Sequence, residues 1–283
     1  MTAGTLYVVA TPIGNLGDFS PRAIDTLRRV DAICCEDTRH SRPLLAQHGI
    51  ERPLLALHEH NEAQLAATLV ERLLGGQSLA LISDAGTPLV SDPGFRLVRA
   101  TRDAGVRVSP LPGACAAIAA LSVAGIASDR FVFEGFLPAK PAARRARLLE
   151  LASESRTLVL YESAHRIVEM LADARAVLGD ERHAAIAREL TKVFETVLDG
   201  SLASLYARVE ADPDQRRGEF VVIVAGVGDA AEAKLAQGRR LYTQLSEHLP
   251  PSQAAKLAAE LSGAPRKALY GAEDRGQRTE DRG

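Results

Sequence analysis

The chain has 283 residues, 46% of them apolar, and a formal net charge of -2. That is enough for about two domains at roughly 150 residues each, and it excludes a global basic field, so any nucleic-acid contact has to use local patches. Three cysteines, Cys34, Cys35 and Cys115, two of them adjacent, exclude a disulfide framework, and no apolar run approaches the about 20 residues of a membrane helix, so a soluble protein of the reducing cytoplasm is expected.

Aromatics make up 4% and tryptophan is absent, so the core must be aliphatic. The N-terminus lacks a basic region followed by a long apolar core, and no signal peptide is expected. Thr5 to Ala10 is a near-continuous apolar run and reads as the first strand; the loop Thr11 to Asp18 follows, and Ser20-Pro21 caps a helix reaching about Val30. Ala32 to Cys35 is a second strand, ending in the polar group Glu36-Asp37-Thr38-Arg39-His40-Ser41-Arg42. A helix through Gln47 and a short strand near Leu54 to Leu57 come next. Asn61 to Leu74 is a helix, with Leu65, Leu69 and Leu73 on one face and Gly75-Gly76 as its stop. Leu79 to Ile82 reads as a buried strand, followed by the long loop Ser83 to Gly94 and a helix from Phe95 to Ala104. Asp92 reads as that helix's N-cap, with Pro93 in its first turn. Val106 to Leu111 is another strand, closed by Pro112-Gly113 before the small-residue helix Ala114 to Val123.

Gly125 to Asp129 reads as the passage to a second α/β half. Its elements are a strand Arg130 to Gly135, a helix Pro141 to Ser155, a strand Arg156 to Tyr161, a helix capped by Ser163 and reaching Leu178, a strand His183 to Ala187, a helix Ser201 to Glu210, and a closing strand Glu219 to Ala225. Gly226-Val227-Gly228 reads as a hinge. Ala230 to Leu249 is helical, and Pro251 to Leu261 and Pro265 to Tyr270 are short helices about the Ser262-Gly263 turn. The charged and Gly-rich tail 271–283 reads as disordered.

Alternating strands and helices imply a largely parallel sheet, in which the loops after three strands (Thr11 to Asp18, Ser83 to Gly94, Leu111 to Gly113) share one edge. Open α/β sheets bind ligands at that edge. No GxGxxG follows a strand and no GxxxxGK[ST] occurs, which counts against a dinucleotide or a nucleoside-triphosphate fold. Gly14, Gly86 and Gly113 instead suit a ligand gripped by main-chain groups. Asp84 at a strand end can pair with a cation or accept from a ribose hydroxyl; a turn-forming Asp is the bland alternative. In the Glu36 to Arg42 group a carboxylate can serve as a base and the arginines can hold phosphates, against a solvated salt-bridge cluster. Lys140, Arg144 and Arg147 fall along one helix face and read as a phosphate-binding patch or a merely soluble face. His58, His60 and the cysteine pair match no zinc spacing, so no metal is expected. Cys115 reads as packing or pocket lining rather than a nucleophile.

Leu6 to Asp18, Cys35-Glu36-Asp37-Thr38-Arg39 and Ser83 to Gly94 resemble the tetrapyrrole methylase superfamily, and within it the ribosomal RNA small-subunit methyltransferase I branch. Gly135-Phe136-Leu137-Pro138, Tyr161 to Arg166 and Arg188-Glu189-Leu190-Thr191-Lys192 extend the likeness, and the short C-terminal helices are similar to that branch's helix-turn-helix tail. The resemblance implies two α/β domains of the tetrapyrrole methylase type, 1–124 and 125–226, with the cofactor cleft between them, plus a small helical C-terminal tail over 229–270. It implies a homodimer that uses S-adenosylmethionine to methylate a cytidine ribose 2′-hydroxyl of 16S ribosomal RNA in the small subunit's decoding region. Carried over by position, Pro12, Asp84, Gly86, Thr87, Cys115, Ala116, Tyr161 and Leu190 are cofactor contacts. Glu36, Asp37 or Glu189 takes the hydroxyl proton, and Arg39, Lys140, Arg144 and Arg166 hold the RNA. A tetrapyrrole methyltransferase and a non-catalytic RNA-binding assembly factor are the rival readings.

Overall fold

The computed structural model describes residues 2–228 and 230–269; the tail expected to be disordered lies outside the described residues. The chain forms two compact units. One holds Met1–Val123 together with Arg188–Thr196, and the other takes the remainder.

In the first unit the strands are β1 (Thr5–Val9), β2 (Ala32–Cys35), β3 (Leu54–Ala56), β4 (Leu79–Ile82) and β5 (Arg107–Leu111). They pair in the order β3-β2-β4-β1-β5, and every pair is parallel. Five helices intervene: α1 (Pro21–Arg29), α2 (Thr38–Gln47), α3 (Glu62–Leu74), α4 (Phe95–Asp103) and α5 (Ala116–Val123). A parallel sheet is covered on both faces, which is why its strands read as unbroken apolar runs. Val9, Ile33, Cys35 and Ile82 enter one core cluster and Leu6, Cys34, Leu79 and Leu81 the other. The adjacent thiols therefore point to opposite faces, too far apart in direction to bond to each other. Burial pushes the Cys34 thiol up to about 12, with Cys35 adding to the rise and Arg72 opposing it.

In the second unit the strands are β6 (Phe131–Phe136), β7 (Thr157–Ser163), β8 (His183–Arg188), β9 (Thr196–Ser201) and β10 (Glu219–Val224), in the order β6-β7-β10-β8-β9. β6 and β7 are parallel and β7 and β10 antiparallel, so this sheet is mixed. Helices α6 (Pro141–Leu151), α7 (Ile167–Leu178) and α8 (Leu202–Ala211) bury Leu148, Met170, Leu171 and Leu205 in its core. Helices α9 (Ala230–Ser246), α10 (Pro251–Ser262) and α11 (Arg266–Leu269) close the chain, with Gly263 in the left-handed conformation ending α10.

Two expected caps are corrected. Asp92 does not cap α4: the helix starts from Gly94, whose φ is +125°, so Asp92 lies too far upstream. Ser163 does not cap α7: it pairs with Glu219 as the last residue of β7, and the helix begins after Arg166. β9 was absent from the sequence expectation because TVLDGS carries few apolar residues; it is the sheet's edge, where polar residues guard against further pairing.

Candidate active site

Since β2, β4, β1 and β5 are parallel neighbours, the segments leaving their carboxyl ends lie side by side: Glu36-Asp37, Ser83 to Gly94, Thr11 to Asp18, and Pro112 to Ala116. The expected convergence of the three loops is thus present, and hydrogen bonds lock it. Thr11 and Gly86 exchange both backbone bonds, Thr11 N to Gly86 O at 2.9 Å and Gly86 N to Thr11 O at 3.1 Å. The Thr11 hydroxyl donates to Ser83 O at 3.1 Å, and the Thr87 hydroxyl to Ala114 O at 3.0 Å. Pro12 is buried beside this junction, and Cys115 and Ala116, half-buried, lead into α5.

The glycines also let the chain pack closely on itself. A Cβ on Gly14 would stand 2.5 Å from Lys192 Cγ, and one on Gly113 2.9 Å from Ala10 Cβ. Those spaces are filled by the protein's own side chains, so Gly14 and Gly113 admit close chain packing. Gly86 has φ +84°, and a Cβ there would stand 3.2 Å from Ile13 Cγ2, which fits a glycine to the turn that makes the Thr11 bridge.

Residues 188–196 belong to this unit. Asn15 N donates to Thr191 Oγ1 at 3.1 Å, and Lys192 pairs with Glu189 at 2.8 Å. Leu190 is buried. The positive-φ non-glycine residues among those described, Leu89, Ser91, Glu189 and Thr191, all fall in this segment or in the Ser83 to Gly94 loop. Backbone strain of this kind costs of order 1–3 kcal/mol per residue and clusters at functional sites.

Carboxylates rim the junction. Asp92 is half-buried, and burial lifts its carboxyl to about 6; a hydrogen bond from Ser83 offsets part of the rise, while Glu36 and Asp84 add to it. Glu36 is pushed above the usual carboxylate range by desolvation and by Asp84 and Glu59, against the pull of His58. Asp37 moves the other way. It caps α2 by accepting from Arg39 N at 2.8 Å, and the Arg39 guanidinium holds its carboxyl far below the usual range. A carboxylate so stabilised is a weak proton acceptor, which counts against Asp37 as the base. Asp84 accepts from Asp37 N at 3.4 Å and from His40 at 3.1 Å. The three loops contain Asp18, Asp84 and Asp92 and no lysine or arginine. That donor set fits a cationic sulfonium gripped by main-chain groups and not a pyrophosphate.

In the second unit, Tyr161 on β7 meets Phe133 and Phe136 edge-on, at 5.0 and 5.7 Å between ring centroids. Lys140 is exposed just before α6. Arg166 donates to Leu137 O at 2.6 Å and pairs with the buried Glu162 at 3.2 Å. Arg144 requires a correction. It is 1% exposed and turned inward, bound to Asp173 at 2.6 Å and Glu169 at 3.3 Å on α7. It braces α6 against α7 and presents no face to a phosphate. Arg147 on the same helix is likewise taken by Glu134 and Glu150. The basic helix face therefore reduces to Lys140 and the exposed Arg145, which shares Asp173.

Asp92 and His40 are the functional candidates that sequence reasoning passed over. Asp92 reads from sequence as a helix cap, and His40 stands in the polar group without a role; the signal for His40 is its place five residues beyond the end of β2.

Residues 5–206 match the family described as Tetrapyrrole (Corrin/Porphyrin) Methylases, and residues 232–272 match the RsmI C-terminal HTH domain. Over 270 residues the chain is 66% identical to the ribosomal RNA small subunit methyltransferase I of Xylella fastidiosa strain Temecula1, covering 95% of this chain and 99% of that one. It is 55% identical to the protein of the same name from Pseudomonas aeruginosa (95% and 96% covered), and 52% to that from Escherichia coli O157:H7 (94% and 93%). Among solved structures, diphthine synthase matches with a TM-score of 0.59 at 16% identity, covering 79% of this chain and 90% of that one. A uroporphyrin-III-C-methyltransferase from Thermus thermophilus matches at 0.54 and 21%, covering 78% and 94%. At such identities these structures speak for the fold alone.

Proposed function

Because the chain belongs to the tetrapyrrole methylase family, we propose that it is an S-adenosylmethionine-dependent methyltransferase of small-subunit ribosomal RNA, and more narrowly that it methylates the 2′-hydroxyl of a cytidine ribose in the decoding region of 16S ribosomal RNA. The observation that carries this reading is the junction of three loops, bonded to one another and rimmed by carboxylates without a lysine or arginine of their own. The RNA half is supported by the near-full-length likeness to proteins named for that substrate. A cytoplasmic location and a homodimer go with the reading.

When bound, S-adenosylmethionine would supply an electrophilic methyl group on a positively charged sulfur. In-line transfer needs no covalent enzyme intermediate, so the protein's part is to position donor and acceptor and to manage one proton. In the first unit Pro12, Gly86, Thr87, Cys115, Ala116 and Leu190 would hold the donor. Asp84, whose carboxylate oxygens are both engaged by α2, would act at one remove. Arg39, exposed at the start of α2, and Lys140 and Arg166 of the second unit would hold RNA phosphates.

The test mixes the protein with methyl-labelled S-adenosylmethionine and undermethylated small ribosomal subunits. Label in one ribose, read as a cytidine whose 3′ linkage resists alkaline cleavage, is the expected result. Label on a base, or no incorporation, removes the reading.

A further inference from the structure

Resting on that reading, we propose that His40 is the general base that takes the proton of the substrate hydroxyl, and that Asp84 is the residue that positions its ring. His40 lies in the first turn of α2, and its Nδ1 is 3.1 Å from Asp84 Oδ2. The side chain of His40 is 72% exposed, against 31% for Asp84. An ionised Asp84 accepts the Nδ1 proton of a neutral imidazole, which leaves the Nε2 lone pair as the ring's accepting face. The carboxylate is itself held: its other oxygen accepts from Asp37 N, at the residue that caps α2. Helix start, histidine and carboxylate thus form one chain of contacts.

Its place in the fold is what gives the pair a use. β2, which leads into α2, and β4, which ends before Asp84, are paired neighbours, and β1 lies on the other side of β4. Two residues beyond Asp84 is Gly86, bridged to Thr11. The ring therefore stands at the same sheet edge as the loop junction, one strand over, and its solvent-facing side is open to a macromolecule. A histidine oriented by a carboxylate is the usual answer when a weakly acidic hydroxyl must lose a proton near neutral pH. Of the other carboxylates at this edge, Asp37 is held ionised by Arg39 and is a weak acceptor, and Asp84 is already engaged by Asp37 N and His40, so Glu36, pushed up by desolvation, is the rival base that the test must separate from His40.

The step balances as follows. The hydroxyl oxygen forms a bond to the methyl carbon, the carbon–sulfur bond breaks with its electron pair passing to sulfur, and the proton goes to Nε2 of His40. The resulting imidazolium is stabilised by Asp84 and returns its proton to water. The groups that face the ring or its partner are Asp84 and Asp37 directly, and Glu36 and Asp92 through Asp84.

The experiment measures single-turnover methylation of undermethylated small subunits against pH, with S-adenosylmethionine and subunit affinities taken separately. His40→Ala is expected to lower the rate by about 10²-fold or more, to abolish the rising limb of the pH profile, and to leave both affinities within about twofold. His40→Gln, which can still bond to Asp84, is not expected to rescue the rate. Asp84→Asn is expected to lower the rate with unchanged subunit affinity. Full rate in His40→Ala, loss of rate matched by loss of subunit affinity with the pH profile intact, or a rising limb removed by Glu36→Gln and not by His40→Ala, would each overturn the proposal while leaving the methyltransferase reading standing. No incorporation by the unaltered protein removes both.

Discussion

Asp92 is held half-buried in a loop with two residues in left-handed conformations, and its carboxyl is raised to about 6 from an ordinary 3.8. Between those values the folded chain binds a proton more tightly than the unfolded one, so stability falls as pH rises through this window and the cost is complete above about 6. Replacing the carboxyl by an amide removes that cost. Asp92→Asn should therefore raise unfolding free energy by on the order of 1 kcal/mol at pH 8, after allowance for solvent screening, and change it little at pH 3.5. Urea titrations at the two pH values check this; a gain of equal size at both would mean that ionisation is not involved. Gly86 makes the complementary case. Its φ of +84° strains any side chain, and a methyl group there would press on Ile13 Cγ2 at 3.2 Å, so Gly86→Ala should cost about 1–3 kcal/mol and weaken S-adenosylmethionine binding by on the order of tenfold, measured by calorimetry. Retained affinity in a folded variant would remove the loop junction from the donor site.

Helix α6 shows how an element can mislead when read alone. Its arginines recur at helical spacing, yet Arg144 is bound to Asp173 and Glu169, which α7 supplies some thirty residues later. Removing one partner of a buried ion pair strands the other, so Arg144→Ala should destabilise the protein by about 3–5 kcal/mol while leaving the salt dependence of RNA binding unchanged. A shallower salt slope at constant stability would return Arg144 to the phosphate contacts. The same distinction marks what could be read in advance. β1, β2 and β4 were legible because a doubly covered strand must be apolar throughout, and the loops at their ends were legible because parallel strands share an exit edge. The purpose of Gly14 was not, since Lys192, which fills its Cβ space, is distant in sequence. Nor was the His40 pairing, because Asp84 comes from another strand and only the order β2-β4 brings the two together.

For the molecule as a whole, a net charge of -2 leaves attraction to RNA to a few exposed cations. With Arg39, Lys140 and Arg166 as phosphate contacts, log affinity for the subunit RNA should fall against log salt with a slope of about -2 to -3, from roughly 0.7 to 0.9 counterions per contact. A slope near zero, by filter binding across a salt series, would leave those residues without that role. Connectivity sets a second whole-molecule property. Residues 188–196 complete the first unit only after the chain has passed through Ala124–Ala187 of the other one. A fragment ending at Val123 lacks Thr191, the acceptor for Asn15 N, so limited proteolysis should cut Thr11 to Asp18 faster in the fragment than in the full chain, and equal rates would show residues 188–196 to be dispensable for holding that loop. On a translating ribosome the consequence is one of timing. The amino-terminal module must wait, unfinished, until well over half the polypeptide has been synthesised, so a nascent chain cannot tie Asn15 to Thr191 before residues 188–196 have left the ribosome.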